Sequence, residues 1–307
     1  MRQKKVSIIG AGRVGSSTAW LCALKGLGGV VLYNRTEGVA KGIALDISHS
    51  LPIEKQGVNI TGTGSYSETG GSDVIVITAG VQRTAGMTRE QLVETNSAIV
   101  AGIARETARL SPKAVMVVVT NPLDAMVAVA ARESGFQKKR VVGMAGILDS
   151  ARFSCFIASE LNVPVTKVSA LVMGSHGEAM VPIISHSGVK GKSISRLLPK
   201  EKIDALVQRA IGAGEEIIKL QESSAYYAPA AAITRMVGAI VENKKQELPV
   251  TAFCNGEYGV KGMFFGVPAV IGKNGVEKIV EHRITKEEQL QLLVAAGKIR
   301  KLVELAK

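Results

Sequence analysis

Aromatic residues are scarce in this chain: one tryptophan, five tyrosines and six phenylalanines, 4% of 307 residues. Cysteine is scarcer still, with Cys22, Cys155 and Cys254 far apart and no CxxC pair. That spacing argues against a disulfide framework and against a cysteine zinc site, and no metal is expected. No apolar run approaches the ~20 residues of a membrane span. No internal repeat or low-complexity tract interrupts the chain. The opening MRQKKVSIIG turns polar again at Arg13 without a signal-peptide cleavage pattern, so the expected compartment is the cytoplasm. Acidic side chains number 26 against 38 basic ones, a formal charge of +12. The basic residues are dispersed, in short clusters such as Lys138-Lys139-Arg140. With so few aromatics they make no stacking platform, and neither nucleic acid nor a membrane is expected as a partner.

What is present argues for a globular α/β chain. At 307 residues, 46% hydrophobic and 21% charged, it has the length of about two ordinary domains. In the first half short β-branched runs recur: Val6-Ser7-Ile8-Ile9, Val30-Val31-Leu32-Tyr33, Val74-Ile75-Val76-Ile77, residues 115–119 and Val141-Val142. Continuous rather than alternating runs suit strands buried on both faces, hence a parallel sheet covered by crossover helices. Near residue 146 the rhythm changes. Residues 168–173 read as one further strand, and His186-Ser187-Gly188-Val189 as a turn inside a hairpin. Two long helices follow. In the first, Ile203, Val207, Ala210, Gly214, Ile217 and Gln221 share a face whose glycine would admit another backbone. The last opens on Thr285 and Glu288, a capping-box pair, and carries Leu292, Ala296, Ile299, Val303 and Ala306 as an apolar stripe. Both stripes are read as core or subunit packing.

Gly10-Ala11-Gly12-Arg13-Val14-Gly15 stands directly after the first strand and opens a helix of small residues. Gly10 allows the tight turn, Gly12 lets a pyrophosphate approach the backbone, and Gly15 lets helix pack on strand. The helix N-terminus adds free N–H groups and positive dipole for phosphates. The expected ligand is a dinucleotide, and the expected fold is a Rossmann-type doubly wound parallel sheet over residues 1–145. A C-terminal α+β substrate domain is expected over 146–307. At the end of the second strand, where an acid would read a ribose 2′-hydroxyl, the chain has Asn34-Arg35-Thr36. Donors and one positive charge suit a 2′-phosphate, so NADP is preferred to NAD, with Glu37 as the nearby group that could still serve the ribose.

Four further segments bear on chemistry. Residues 82–89 form a polar loop with Arg83 and Arg89 six apart. Thr120-Asn121-Pro122-Leu123-Asp124 follows a strand directly, at the carboxyl edge where open α/β sheets bind ligands. Asp149 and Arg152, three apart, share a helix face, and Met173-Gly174-Ser175-His176-Gly177-Glu178 leaves a histidine between glycines.

In this order, and with Ser224-Ala225-Tyr226-Tyr227-Ala228-Pro229, these motifs resemble the lactate/malate dehydrogenase superfamily over nearly the whole chain. Within it they are most similar to the lactate-dehydrogenase-like malate dehydrogenases of bacteria and archaea. The resemblance implies His176 as the general acid/base and Asp149 as the carboxylate on its other ring nitrogen. It implies Arg152 as a fork for the substrate's C1 carboxylate, and Arg89 as the group that polarises the reacting oxygen after loop closure. Asn121 would contact substrate oxygen and the cofactor side, and Asn96 would make another polar contact there. Ala79, Gly80 and Thr120 join the glycine turn on the cofactor side. At Arg83 the family has arginine in malate enzymes and glutamine in lactate enzymes, so malate/oxaloacetate is the implied substrate. The family assembles as dimers or tetramers, and a tetramer is expected here. Two residues depart from the pattern: Asn34 replaces the cofactor acid, and Glu178 stands where aspartate is more usual. Two alternatives stay open, a lactate or broader 2-hydroxy-acid dehydrogenase and a dinucleotide-binding regulator without catalysis. The regulator would show damage at His176, Asp149, Arg152 or Arg89, and all four are intact.

Overall fold

The β-branched runs form strands, and the computed structural model, which describes residues 3–82 and 87–306, shows why they carry so few polar residues. In chain order the first half comprises β1 (Lys5–Ile9), α1 (Arg13–Leu24), β2 (Gly29–Tyr33), α2 (Glu37–Ser50) and β3 (Ile60–Thr63). It continues with β4 (Val74–Ile77), α3 (Arg89–Leu110), β5 (Val115–Val118), α4 (Leu123–Ser134) and β6 (Val141–Gly143). The strands pair in parallel in the order β3-β2-β1-β4-β5-β6. Val74 and Val76 enter one core with Ala19 and Cys22 of α1, while Ile75 and Ile77 enter another with Val93 of α3 and Met126 of α4. Helices on both faces therefore demand apolar side chains in both registers of a strand.

The second half comprises α5 (Gly146–Glu160), β7 (Val168–Ser169), β8 (Val172–Gly174), β9 (Met180–Pro182), β10 (Gly188–Val189) and β11 (Lys192–Ser193). After these come α6 (Lys200–Gln221), α7 (Tyr227–Val241), β12 (Gln246–Asn255), β13 (Lys261–Gly272), β14 (Gly275–Ile279) and α8 (Lys286–Glu304). The main sheet does not stop at β6. Gly143 pairs antiparallel with Thr251 of β12, and the sheet runs on through β13, β8 and β9. A third core gathers Phe153 and Ile157 of α5, Val172 of β8, and Ile203 and Leu206 of α6.

Three sequence expectations need correction here. Residues 168–173 are two strands in different sheets, since β7 pairs with β10 while β8 joins the main sheet at Gly266. The hairpin turn lies at Lys190 and Gly191, with φ of 48° and 78°, whereas His186 closes a short 3-10 turn and Gly188–Val189 is itself strand. On α6 the buried face is Ile203, Leu206, Ala210 and Ala213. Gln221 is exposed, and a side chain at Gly214 would meet open space rather than a neighbouring backbone. The capping box of α8 is present with both hydrogen bonds, and Glu288 also accepts from the Ser185 N–H and hydroxyl. Among the described residues no helix is long and apolar enough to cross a membrane.

Candidate active site

The strand order reverses direction between β1 and β4, so their carboxyl ends border a crevice. Gly10 turns there at φ +117°, its N–H donating to the Tyr33 carbonyl at 2.9 Å. A Cβ at Gly15 would overlap the Gly10 carbonyl oxygen, whereas one at Gly12 would meet nothing within 4 Å. Gly15 is thus needed for packing, and Gly12 leaves the backbone open to a ligand. Gly12 caps α1, no side chain bonds that cap, and the first turn carries no acid. Ser16 makes the bond back to Gly12, so the N–H groups of Arg13, Val14 and Gly15 precede the helical ladder. Unpaired donors, positive helix dipole and an open glycine together fit a dinucleotide pyrophosphate. The Arg13 side chain reaches the second half instead, donating to Ser223 Oγ at 2.5 Å and lying 5.6 Å from the Tyr226 ring centroid.

At the end of β2, Asn34 donates its N–H to Thr63 at 3.0 Å and its amide to the Thr36 carbonyl at 3.3 Å. Arg35 and Thr36 are exposed, and Glu37 pairs along α2 with Lys41 at 3.0 Å. Beyond β4, the Ala79 carbonyl accepts from Thr120 Oγ1 at 2.7 Å, and Gly80 leaves no room for a side chain against Thr120. Asn96 is fully buried. Its Oδ1 accepts the Val81 N–H at 2.8 Å, and its Nδ2 donates to the carbonyls of Val81 and Asn121 at 3.0 and 2.7 Å. The Asn96 amide therefore engages backbone, knitting Val81 to the turn that holds Asn121 and its cis bond to Pro122.

The acid–base group comes from α5 and the β8–β9 turn. Gly174 and Gly177, with φ of +86° and +139°, let the chain reverse around Ser175 and His176. His176 Nδ1 lies 2.9 Å from Asp149 Oδ2, and Arg152 NH1 lies 3.5 Å from Asp149 Oδ1. A carboxylate can only accept, so Nδ1 carries the proton and Nε2 is left with its lone pair. Burial opposes charge on His176, but the charge and hydrogen bond of Asp149 outweigh it, and the imidazole is held protonated above its ordinary 6.5. The stability that this shift contributes is fully present below about pH 6.5 and fades as pH rises through the folded value. The Arg152 side chain is 14% exposed, and its buried Nε has no hydrogen-bond partner among the described residues. A guanidinium with an unused donor beside an imidazole is equipped to grip a carboxylate.

The structure thus joins His176, Asp149 and Arg152. Arg89 stands apart, exposed at the first turn of α3 behind the Thr88–Gln91 capping box. Arg83 lies outside the described residues. Two neighbours of His176 stood in the quoted motifs without a role, Asp124 and Ser175: Asp124, 1% exposed, accepts from Ser175 Oγ at 2.5 Å. The available signal was a lone carboxylate opening an otherwise apolar helix, Leu-Asp-Ala-Met-Val-Ala-Val. Among the described residues no group of three or more His, Cys, Asp or Glu is placed to hold a metal.

A parallel sheet edge fitted for a dinucleotide, set in one sheet with an imidazole–carboxylate couple, defines a class: dinucleotide-dependent oxidoreductases of small hydroxy compounds. The comparisons narrow it. Residues 4–143 match the model of the lactate/malate dehydrogenase NAD binding domain, and residues 147–307 that of the lactate/malate dehydrogenase alpha/beta C-terminal domain. The chain is 47% identical to the malate dehydrogenase of Bacillus pumilus over 294 residues, 95% of this chain and 94% of the relative. It superposes on the malate dehydrogenase structure from Salinibacter ruber with a TM-score of 0.94 at 41% identity, covering 98% of this chain and 97% of the other. The lactate dehydrogenase structure from Cryptosporidium parvum, complexed with lactic acid and β-nicotinamide adenine dinucleotide, superposes at 0.96 with 37% identity. That match covers 100% of this chain and 98% of the other. The chain belongs to the lactate/malate dehydrogenase family.

Proposed function

We infer that the chain interconverts (S)-malate and oxaloacetate, residues 1–145 carrying the cofactor and 146–307 the acid–base group. The observation that carries the chemistry is the buried Asp149–His176 couple with Arg152 beside it. A nicotinamide dinucleotide, when bound, supplies the hydride acceptor or donor. In malate oxidation His176 Nε2 takes the hydroxyl proton, and Asp149 stabilises the resulting imidazolium. In oxaloacetate reduction the same proton returns to the carbonyl oxygen. Arg152 holds the C1 carboxylate by a two-pronged contact, and Arg83 the second carboxylate. Arg89, six residues after Arg83, polarises the reacting oxygen. Asn121 orients substrate from the β5 edge, fixed there through Asn96. The 47% identity to the Bacillus pumilus malate dehydrogenase supports the dicarboxylate reading, as does arginine at 83. The test is initial rates with oxaloacetate and pyruvate, each under NADH and NADPH. Pyruvate turnover comparable to oxaloacetate would remove the malate reading.

The same reading makes NADP the preferred cofactor. No acid ends β2, Arg35 is exposed there, and Glu37, the remaining candidate for the ribose, turns to Lys41. Asn34→Asp combined with Arg35→Ala is expected to lower the NADPH/NADH ratio of kcat/KM about tenfold or more, since charge-assisted hydrogen bonds to a phosphate are lost. An unchanged ratio would remove the phosphate contact. A homo-oligomer, tetramer before dimer, is proposed from the exposed apolar side chains Trp20, Leu45, Ile53 and Leu220.

A further inference from the structure

A second carboxyl, Asp124, stands beside His176 and takes no part in the proton transfer itself. It belongs to the first turn of α4, on the cofactor half, and reaches across to the β8–β9 turn of the other half. Its Oδ2 accepts the Ser175 hydroxyl at 2.5 Å, and its Oδ1 is buried with no hydrogen-bond partner among the described residues. Its helical neighbours Leu123, Ala125, Met126 and Val127 are core residues. A neutral acceptor would serve Ser175 equally well, without the cost of burying a charge. The carboxyl therefore has a use for its charge.

That use is visible in the surroundings of His176. The histidine turn is bounded by Gly174 and Gly177, and a side chain at Gly177 would touch nothing within 4 Å, so packing alone holds one flank loosely. Among the described residues the charged groups facing the imidazole are Asp149 and Arg152 from α5 and Asp124 from α4, with Glu178 exposed on its own turn. Burial and Arg152 oppose the imidazolium, while the charge and hydrogen bond of Asp149 favour it. Asp124 adds a smaller contribution of the same sign as Asp149, from the opposite half of the chain. Resting on the assignment of His176 as the acid–base group, we propose that Asp124 is a positioning residue with an electrostatic task. It anchors the histidine turn through Ser175 and sets negative charge behind the ring that takes up the proton. Burial holds the Asp124 carboxyl above its ordinary value, opposed by the Ser175 hydrogen bond, the imidazole and a hydrogen bond from the His176 backbone N–H. Its position in the first turn of α4 places it in a helix dipole that favours the anion.

Two variants separate the anchor from the charge. Asp124→Asn keeps the shape and an acceptor for Ser175 but removes the charge. Carbon-13 NMR of labelled histidine in the full-length enzyme, with the His176 signal assigned by its loss in His176→Asn, is expected to show the His176 midpoint falling by about half to one pH unit. The acid limb of kcat/KM for malate oxidation is expected to move down with it. Ser175→Ala removes a single hydroxyl and is expected to lower kcat about tenfold, with KM for cofactor unchanged. A His176 midpoint in folded Asp124→Asn that matches the unsubstituted enzyme overturns the electrostatic task, and wild-type kcat in Ser175→Ala overturns the anchor. Should Asp124→Asn fail to fold, Ser175→Ala alone decides the anchor. Asp124→Ser, read by the same titration, then decides the charge. The NMR midpoint needs no substrate, so its result is distinguishable from failure of the malate assignment, which the substrate panel alone addresses.

Discussion

His176→Asn is expected to lower kcat about 10³- to 10⁴-fold in both directions, with cofactor affinity changed by no more than about twofold. The expectation rests on one hydrogen bond. Asp149, 1% exposed, accepts from Nδ1 at 2.9 Å, which fixes the tautomer and leaves Nε2 as the only basic atom of the couple. Asparagine can keep the bond to Asp149 but has no proton-accepting nitrogen, so positioning survives and proton transfer does not. The pH dependence follows from the raised imidazole value. Malate oxidation needs the neutral ring and rises as pH climbs through the folded value, whereas oxaloacetate reduction needs the imidazolium and falls over the same range. Steady-state rates in both directions, with fluorescence titration of bound reduced cofactor, check the prediction. A kcat within tenfold of the unsubstituted enzyme would remove His176 from the proton transfer.

Arg83→Gln is expected to lower kcat/KM for oxaloacetate about 10²- to 10³-fold and to raise pyruvate turnover relative to it. The motive is chemical asymmetry. In a water-excluded site a guanidinium facing a methyl group is a desolvated charge without a partner, and the substrate's second carboxylate supplies that partner. Glutamine leaves a neutral side chain that tolerates the methyl group and no longer neutralises the dianion. Arg152, proposed to grip the carboxylate common to both substrates, is expected to keep overall binding in place. Competition between oxaloacetate and pyruvate under a single cofactor reads the switch directly, and unchanged selectivity would refute the role of Arg83.

Much of the cofactor half was readable in advance because its strands are buried on both faces. Residues 6–9, 30–33 and 74–77 lie within strands β1, β2 and β4, and the 115–119 run forms β5 with Val119 one residue past its end. The edge strand β3 was not, since Ile-Thr-Gly-Thr is short and half exposed and leaves no apolar run. Helix α7 escaped for the opposite reason. From Pro229 to Ile240 nearly every residue is buried, so no polar face marks its period. The long β12–β13 hairpin carries paired prolines, Pro249 opposite Pro268, which argue against a strand when read one segment at a time. At the site, glycines and the motif order were informative because Gly10, Gly15 and Gly174 have backbone reasons to be glycine. Asp124 was not, because its partner Ser175 lies 51 residues away and only the crossing between halves brings them together.

The pairing of Gly143 with Thr251 makes one laminate of the two halves of the chain. Severed after residue 145, the leading fragment would present Val141 and Val142 as a raw, greasy border with its ladder unfilled. Such a fragment would seek a foreign strand and clump. The dinucleotide platform is therefore no portable module that could be grafted elsewhere without its trailing partner.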